Sequence, residues 1–297
     1  MDWSRAKDIL IVAFLSLNLF LGFRLWTEMS RYPAATSQVL PEEIAATLDN
    51  LAAAGVEVAV PIPRDTPPLP LLQVQVSSLN PQKMAQYFLG TLEDVHTVRT
   101  PGPQGELLFV RYGEELSVYP NGIFTYRYLY PRSHSQSPAS TYSTEQEVQH
   151  WAEKFIADQR ELGQELRLKE IREISQEEAF LVRMEQVYRD RPLVGSAGVE
   201  ALVSEAGVEF LWQRPLEPIG PAGEEKAIIP ATEALLRLAA AREENKGGEI
   251  VTVAEITLGY YNKLYDAREW EAVPVWALRT DQDQWYYINA FTGEQEL

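Results

Sequence analysis

The chain contains no cysteine. Disulfides, thiolate zinc sites and cysteine nucleophiles are therefore all excluded. Histidine is scarce too: His96, His134 and His150 are the only three. They are scattered, with no HExxH and no paired spacing, so neither a metal nor a cofactor is expected. There is no GxSxG elbow, and no glycine-rich turn of a nucleotide-binding fold. Positive charge is in deficit, with 26 Lys and Arg against 43 Asp and Glu and a net charge of −17. Nucleic acid is excluded as a partner, because its phosphates must be neutralised by Lys and Arg. Flat adhesion to anionic lipid is disfavoured as well. Setting aside Asp2, Arg5, Lys7, Asp8 and Arg24, residues 27–297 stand at −18. The acids are spread rather than gathered in a block, which reads as a solvated surface.

One long apolar run is present. Ile9 to Phe23 carries no charge and two polar residues, Ser16 and Asn18. At about 15 residues it is shorter than the span of about 20 for a membrane helix. Its flanks supply the rest. Trp3 and Trp26 lie 23 positions apart, about 35 Å along a helix, so one indole reaches each interface while Arg24 snorkels outward. A cleaved secretory signal would share the charged start, but Gly22-Phe23-Arg24-Leu25-Trp26 offers no small-x-small cleavage site. The expectation is a cytoplasmic tail over 1–8, a single transmembrane anchor over 9–26 in contact with membrane lipid, and a stalk over 27–39. The remainder is then extracytoplasmic, at the cell membrane. Ile11, Leu15, Asn18 and Gly22 fall on one helical face. Gly22 permits close approach, and Asn18 can bond across a helix interface for about 0.6–2 kcal/mol. This face is a candidate partner site, unless Asn18 lies near enough to the outer boundary to find water. Trp3, Trp26 and Arg24 are the interfacial anchors.

The external chain reads as α+β. Helices are expected over 40–54, opened by Pro41, Glu42 and Glu43, near 81–92, over 144–162 with a Thr144/Glu147 capping box, and over 231–244. Strands are expected near 56–60, 71–76, 106–111, 115–119, 123–130, 167–174, 179–188, 193–204, 207–213, 250–261, 273–279 and 285–290. Pro61 to Pro70 is an extended connection, and Pro215 to Gly223 a loop. The serine- and proline-rich stretch PRSHSQSPAST marks a boundary. Two external domains result, 40–130 and 144–297, joined by a linker over 131–143. A helix followed by antiparallel strands recurs three times, which places helices on one face of each sheet.

No catalytic residues emerge. Glu177–Glu178, Glu224–Glu225 and Glu243–Glu244 are neighbours in sequence, but adjacent side chains diverge and do not make a catalytic pair. Tyr126, Tyr128 and Tyr130 alternate, as do Trp285 and Tyr287. Such alternation belongs first to cross-strand packing, and second to a glycan or peptide groove.

The stretch Trp285-Tyr-Tyr-Ile-Asn-Ala-Phe-Thr-Gly-Glu294 resembles the close of PepSY-like modules, small helix-on-sheet binding or inhibitory units. The opening, MDWSRAKDILIVAFLSLNLFLGFRL, resembles the signature of the YycI (WalI) family. That signature has a Met-Asp-Trp-Ser start and a Lys leading into an apolar helix with Leu-Asn-x-Phe-Leu; here these are Met1 to Ser4, Lys7 and Leu17 to Leu21. Pro274-Val-Trp276, Tyr287 to Ala290 and Thr292-Gly-Glu294 fit the external domains of the YycH/YycI type. The resemblance implies a single-pass membrane protein of a Gram-positive bacterium, with no catalysis and no cofactor. Its partners would be a YycH-like protein and the WalK (YycG) sensor histidine kinase of a two-component system that governs cell-wall homeostasis. The acidic charge and the prolines of 61–70 depart from the family pattern. Two other classes stay open: an extracytoplasmic glycan- or peptide-binding module, and a cell-wall hydrolase.

Overall fold

The structure, a computed structural model, describes residues 37–78, 80–91, 93, 95–99, 105–129, 144–161, 163–174, 178–244, 250–265 and 267–296, together with Phe14. In chain order the elements begin with β1 (Ser37–Gln38), α1 (Pro41–Ala53), β2 (Val56–Val58), β3 (Asp65–Thr66) and β4 (Leu69–Val76). Next come α2 (Pro81–Leu89), β5 (His96–Arg99), β6 (Leu107–Arg111), β7 (Glu114–Val118) and β8 (Phe124–Tyr128). A third group is α3 (Glu145–Glu161), β9 (Leu166–Ile174), β10 (Ala179–Tyr188), β11 (Arg191–Gly195), β12 (Gly198–Ser204) and β13 (Gly207–Arg214). The last is β14 (Leu216–Lys226), α4 (Ala231–Glu244), β15 (Val251–Asn262), β16 (Glu269–Thr280), β17 (Trp285–Asn289) and β18 (Gln295–Glu296). The fold is mixed α+β and mostly sheet.

Local chemistry sets the helix boundaries. In α2 the Asn80 side chain accepts from the backbone N–H of Gln82 (2.9 Å) and of Lys83 (3.2 Å), satisfying two orphan donors of the first turn. Before α3, the Glu147 carboxylate accepts from Thr144 N (3.0 Å) while the Thr144 hydroxyl accepts from Glu147 N (3.4 Å), a reciprocal capping box. Each helix then buries one face. Met84, Ala85 and Leu89 of α2 and Val148, Ala152 and Phe155 of α3 enter one core with Phe109, Leu116, Phe124, Val182 and Leu211. Leu51 of α1 and Ala231, Ala234, Leu235 and Leu238 of α4 enter another, with Val253, Trp276 and Ile288.

These cores define two units that cut across the sequence order. The middle unit is an antiparallel sheet in the order β9-β10-β12-β13-β8-β7-β6-β5, covered by α2 and α3. The outer unit is built from both sides of it: β15 and β16 pair with β17, while β2 joins β15 and β4 joins β16. The expected linker at 131–143 lies outside the described residues, but β8 and β13 from its two sides pair directly. The chain enters the middle unit after β4 and leaves it before β14. These two passages lie side by side, with Leu216 opposite Val76 and Ser77 N donating to Pro215 O at 3.2 Å.

Pro215 to Gly223, expected as a loop, is largely strand: β14 lies at one end of the main sheet path, against β4. Pro218 and Pro221 fit there because an edge strand leaves one row of N–H positions unpaired, and the register shifts between Pro218 and Gly220 take up the misfit. The single strand expected over 193–204 is two, β11 and β12, turned at Gly195 (φ 94°) and Gly198 (φ 118°). The β10–β11 hairpin reaches from the middle unit into the outer sheet, where β11 pairs in parallel with β15.

Candidate functional site

The membrane-helix face Ile11, Leu15, Asn18 and Gly22, and the anchors Trp3, Arg24 and Trp26, lie outside the described residues. Among the described residues no helix is long and apolar enough to cross a membrane, and no cluster of His, Cys, Asp or Glu could hold a metal ion. His96 opens β5 and His150 sits on the exposed face of α3. Tyr126 is buried, its ring stacked on Phe88 at 5.6 Å, whereas Trp285 and Tyr287 line a groove.

That groove, about 280 Å³, lies where β9, β10 and β12 of the middle unit face β16, β17 and the turn between them. Strand register creates its charge pattern. Arg183 of β10 stands opposite Glu170 of β9 and Glu200 of β12, so its guanidinium meets Glu200 at 3.0 Å and Glu170 at 3.3 Å. It also reaches Asp283 of the β16–β17 turn at 3.3 Å. Asp283 is held in the left-handed region (φ 62°), which aspartate tolerates better than most residues. It also takes Arg172 at 3.5 Å and Arg279 at 3.4 Å. Lys169 bridges Glu185 (3.3 Å) and Glu255 (2.9 Å), and Arg279 meets Glu255 at 3.0 Å. Beneath these charges, Trp285 and Tyr287 lie nearly parallel, their centroids 6.1 Å apart. The Lys169 ammonium stands 4.5 Å from the Trp285 ring, within cation–π range.

The electrostatics follow from this wiring. Burial alone would raise the Glu255 carboxyl, but Lys169, then Arg279 and Thr257, outweigh it and hold the group below the usual carboxylate range. Asp283 is lowered in the same way: burial opposes ionisation, and Arg183, Arg279 and Arg172 overcome it. Burial pushes the Tyr287 hydroxyl up to about 12. A glycosidase acid needs a carboxyl with a raised pKa; both displaced carboxyls here move the other way. The groove pairs its cations with its carboxylates.

A pH dependence with a definite sign results. Glu255 and Asp283 bind protons more weakly folded than unfolded, so their contribution is complete above the ordinary carboxylate value of about 4 and is lost as pH falls through the folded values. Calorimetry from pH 7 to pH 3 should show the melting temperature of the wild type falling more steeply than that of Glu255→Gln/Asp283→Asn.

A family model described as YycI protein matches residues 34–291. The chain belongs to the YycI family. YycI proteins are regulatory accessory proteins and not a known enzyme family. No curated protein matches the chain. Among solved structures, an uncharacterized protein from Eubacterium rectale ATCC 33656 shares the fold, with a TM-score of 0.55 and 12% identity over 82% of this chain and 91% of that one. The C-terminal domain of Bacillus megaterium YpeB overlaps more loosely, with a TM-score of 0.38 and 16% identity over 75% and 96% of the two chains. YycH from Bacillus subtilis overlaps with a TM-score of 0.44 and 9% identity over 75% and 54%.

Of the groove residues, sequence alternation singles out only Trp285 and Tyr287. The charged groups give no local signal, because each is an ordinary surface charge until the partner strand is in place.

Proposed function

We propose that this YycI-family chain is a membrane-anchored, non-enzymatic regulator of a WalK-type sensor histidine kinase, acting beside a YycH-like partner at the cell membrane. The family match over 34–291 carries this reading. The apolar run Ile9 to Phe23 supports the anchor, with the amino terminus cytoplasmic and the described units extracytoplasmic. The ion-paired carboxylates of the groove are consistent with a role other than catalysis. The PepSY-like close at Trp285 to Glu294 belongs to the same reading, as a helix-on-sheet surface for protein contact. A regulator shifts a kinase only by binding its signalling states unequally, and the face of Ile11, Leu15, Asn18 and Gly22 is the proposed point of helix contact.

The test is cross-linking of the tagged full-length chain in its native membrane, with mass spectrometry of what is captured. Recovery of a sensor kinase and a second single-pass protein is the expected result. Asn18→Leu/Gly22→Leu should lower capture roughly 3- to 30-fold, the equivalent of about 0.6–2 kcal/mol for a helix–helix polar contact, and should change kinase output. Unchanged capture and output would remove that face from the mechanism. Recovery of wall fragments alone would favour a glycan- or peptide-binding module, for which the Trp285–Tyr287 platform is the specific feature.

A further inference from the structure

The seam between the two units is built differently on its two sides. On one side lie the paired passages at Ser77 and Pro215, an apolar cluster of Leu72, Val74, Leu193, Leu216, Tyr260 and Trp270, and buried glutamines. There Gln186 accepts from Leu216 N at 3.0 Å and its amide donates to Leu216 O and to Gln164 Oε1. On the groove side, ion pairs cross the seam beside the β11–β15 ladder, a bond between Tyr287 and the Gly195 backbone, and Ser196, whose N and Oγ both donate to Asn262 O. Lys169, Arg172 and Arg183 of the middle unit meet Glu255 and Asp283 of the outer unit at 2.9–3.5 Å. The backbone between the two sides is suited to bending. β10 pairs with β12 through Met184 and with β11 from Val187, and its ladder with β9 shifts register between Arg183 and Met184, an irregularity that bends a strand.

Charge sets what these pairs must overcome. Residues 78–214 hold 14 Lys and Arg against 20 Asp and Glu, while residues 37–77 and 215–297 together hold 8 against 20. The units are both negative and repel. Across the seam the signs are nevertheless complementary, with cations from the less acidic unit and carboxylates from the more acidic one.

We propose that the groove side of the seam is an electrostatic latch: the middle unit swings on the Ser77–Pro215 passages and the bend of β10, and Lys169, Arg172 and Arg183 close it on Glu255 and Asp283 over Trp285 and Tyr287. Opening widens the groove and uncovers the indole on which Lys169 rests. The state of the latch would be open to any partner or ion that competes for those charges.

The absence of cysteine makes the test specific. Asp49→Cys on α1 and Lys154→Cys on α3, both exposed, carry spin labels in the full chain solubilised in detergent, and pulsed dipolar spectroscopy reads their separation. At 0.15 M salt one distance population is expected. Introducing Glu255→Gln/Asp283→Asn should add a second, longer population above about ten per cent, the upper end for a minor state at rest. An unchanged distribution in that variant overturns the latch. Where the variant does not fold, Lys169→Gln/Arg172→Gln/Arg183→Gln decides from the cationic side, with both carboxylates intact. The same second population then supports the latch, and its absence overturns it.

Discussion

Trp276→Ala is expected to cost about 3–5 kcal/mol, the range for removing a fully buried indole, and to do so in one unit. Trp276 sits on β16, 1% exposed, opposite Leu258 of β15 and Ile288 of β17. It shares its core with Ala231, Ala234, Leu235 and Leu238 of α4. The small residues of α4 let the helix lie close to the sheet, and the indole fills much of the space between them. Its N–H donates to Ile229 O at 2.9 Å, so truncation opens a cavity and also strips a carbonyl of its partner. Hydrogen exchange is the measurement that locates the loss. Amides of β15, β16 and β17 should lose protection while those of β6, β7 and β8 keep it, because the middle unit has a separate core. Equal loss in both would mean that the two units unfold as one.

The sequence made some of this legible and hid the rest. The helices expected at 40–54, 81–92, 144–162 and 231–244 are present as Pro41–Ala53, Pro81–Leu89, Glu145–Glu161 and Ala231–Glu244. Their signals are local: Pro41 in a first turn, Asn80 as a cap, and the Thr144/Glu147 box. Hairpins were equally readable, since Asn121 and Gly122 (φ 82°) turn β7 into β8. The partner of each strand was not. Nothing in Leu69–Val76 indicates that it pairs with strands some 140 and 200 residues later, yet its side chains Gln75 and Gln73 meet Glu217 and Glu269 at those separations. The groove is hidden for the same reason. Lys169 and Glu255 lie 86 positions apart, and Arg183 and Asp283 lie 100 apart. Each reads as a solvated charge until β11 docks on β15. The docking itself needs two glycines: a Cβ at Gly259 would lie 2.5 Å from Pro192 O, and one at Gly195 would lie 2.6 Å from Asn262 O.

One buried group has no counterpart in a local pattern. Arg214, at 0% exposure, donates to Lys263 O at 3.0 Å and to the Ser196 hydroxyl, and rests 5.2 Å from the Trp270 ring. Its Nε and one terminal nitrogen have no hydrogen-bond partner, and burial lowers its pKa. It pins the end of β13 to the loop after β15, at the point where the middle unit joins the outer one. The seam thus places polar groups in apolar surroundings at its joint and ion pairs at its groove. Such a junction is specific in geometry rather than strongly stabilising.

Gln186 is the most consequential of those polar groups. At 2% exposure, its amide imitates a peptide unit: it accepts from Leu216 N and donates to Leu216 O, continuing the pairing of β14 into the middle unit. Gln186→Leu keeps the volume nearly constant but leaves Leu216 N–H, Leu216 C=O and Gln164 Oε1 without their partner. At about 1–3 kcal/mol for each stranded buried group, partly relieved by relaxation, roughly 3 kcal/mol of stability should be lost. Gln213 supplies the control. It is equally buried, at 1% exposure, but makes a single side-chain bond, to Gln159 at 3.1 Å, and its own Oε1 has no hydrogen-bond partner. Gln213→Leu should therefore cost about 1 kcal/mol, near the net value of one hydrogen bond. Urea titrations of the two variants, with exchange at the Leu216 amide, separate bonding from packing. Equal losses would show that filling the joint matters and bonding does not. A larger loss in Gln186→Leu, with Leu216 exchanging freely, would show that the amide holds the joint between the two units.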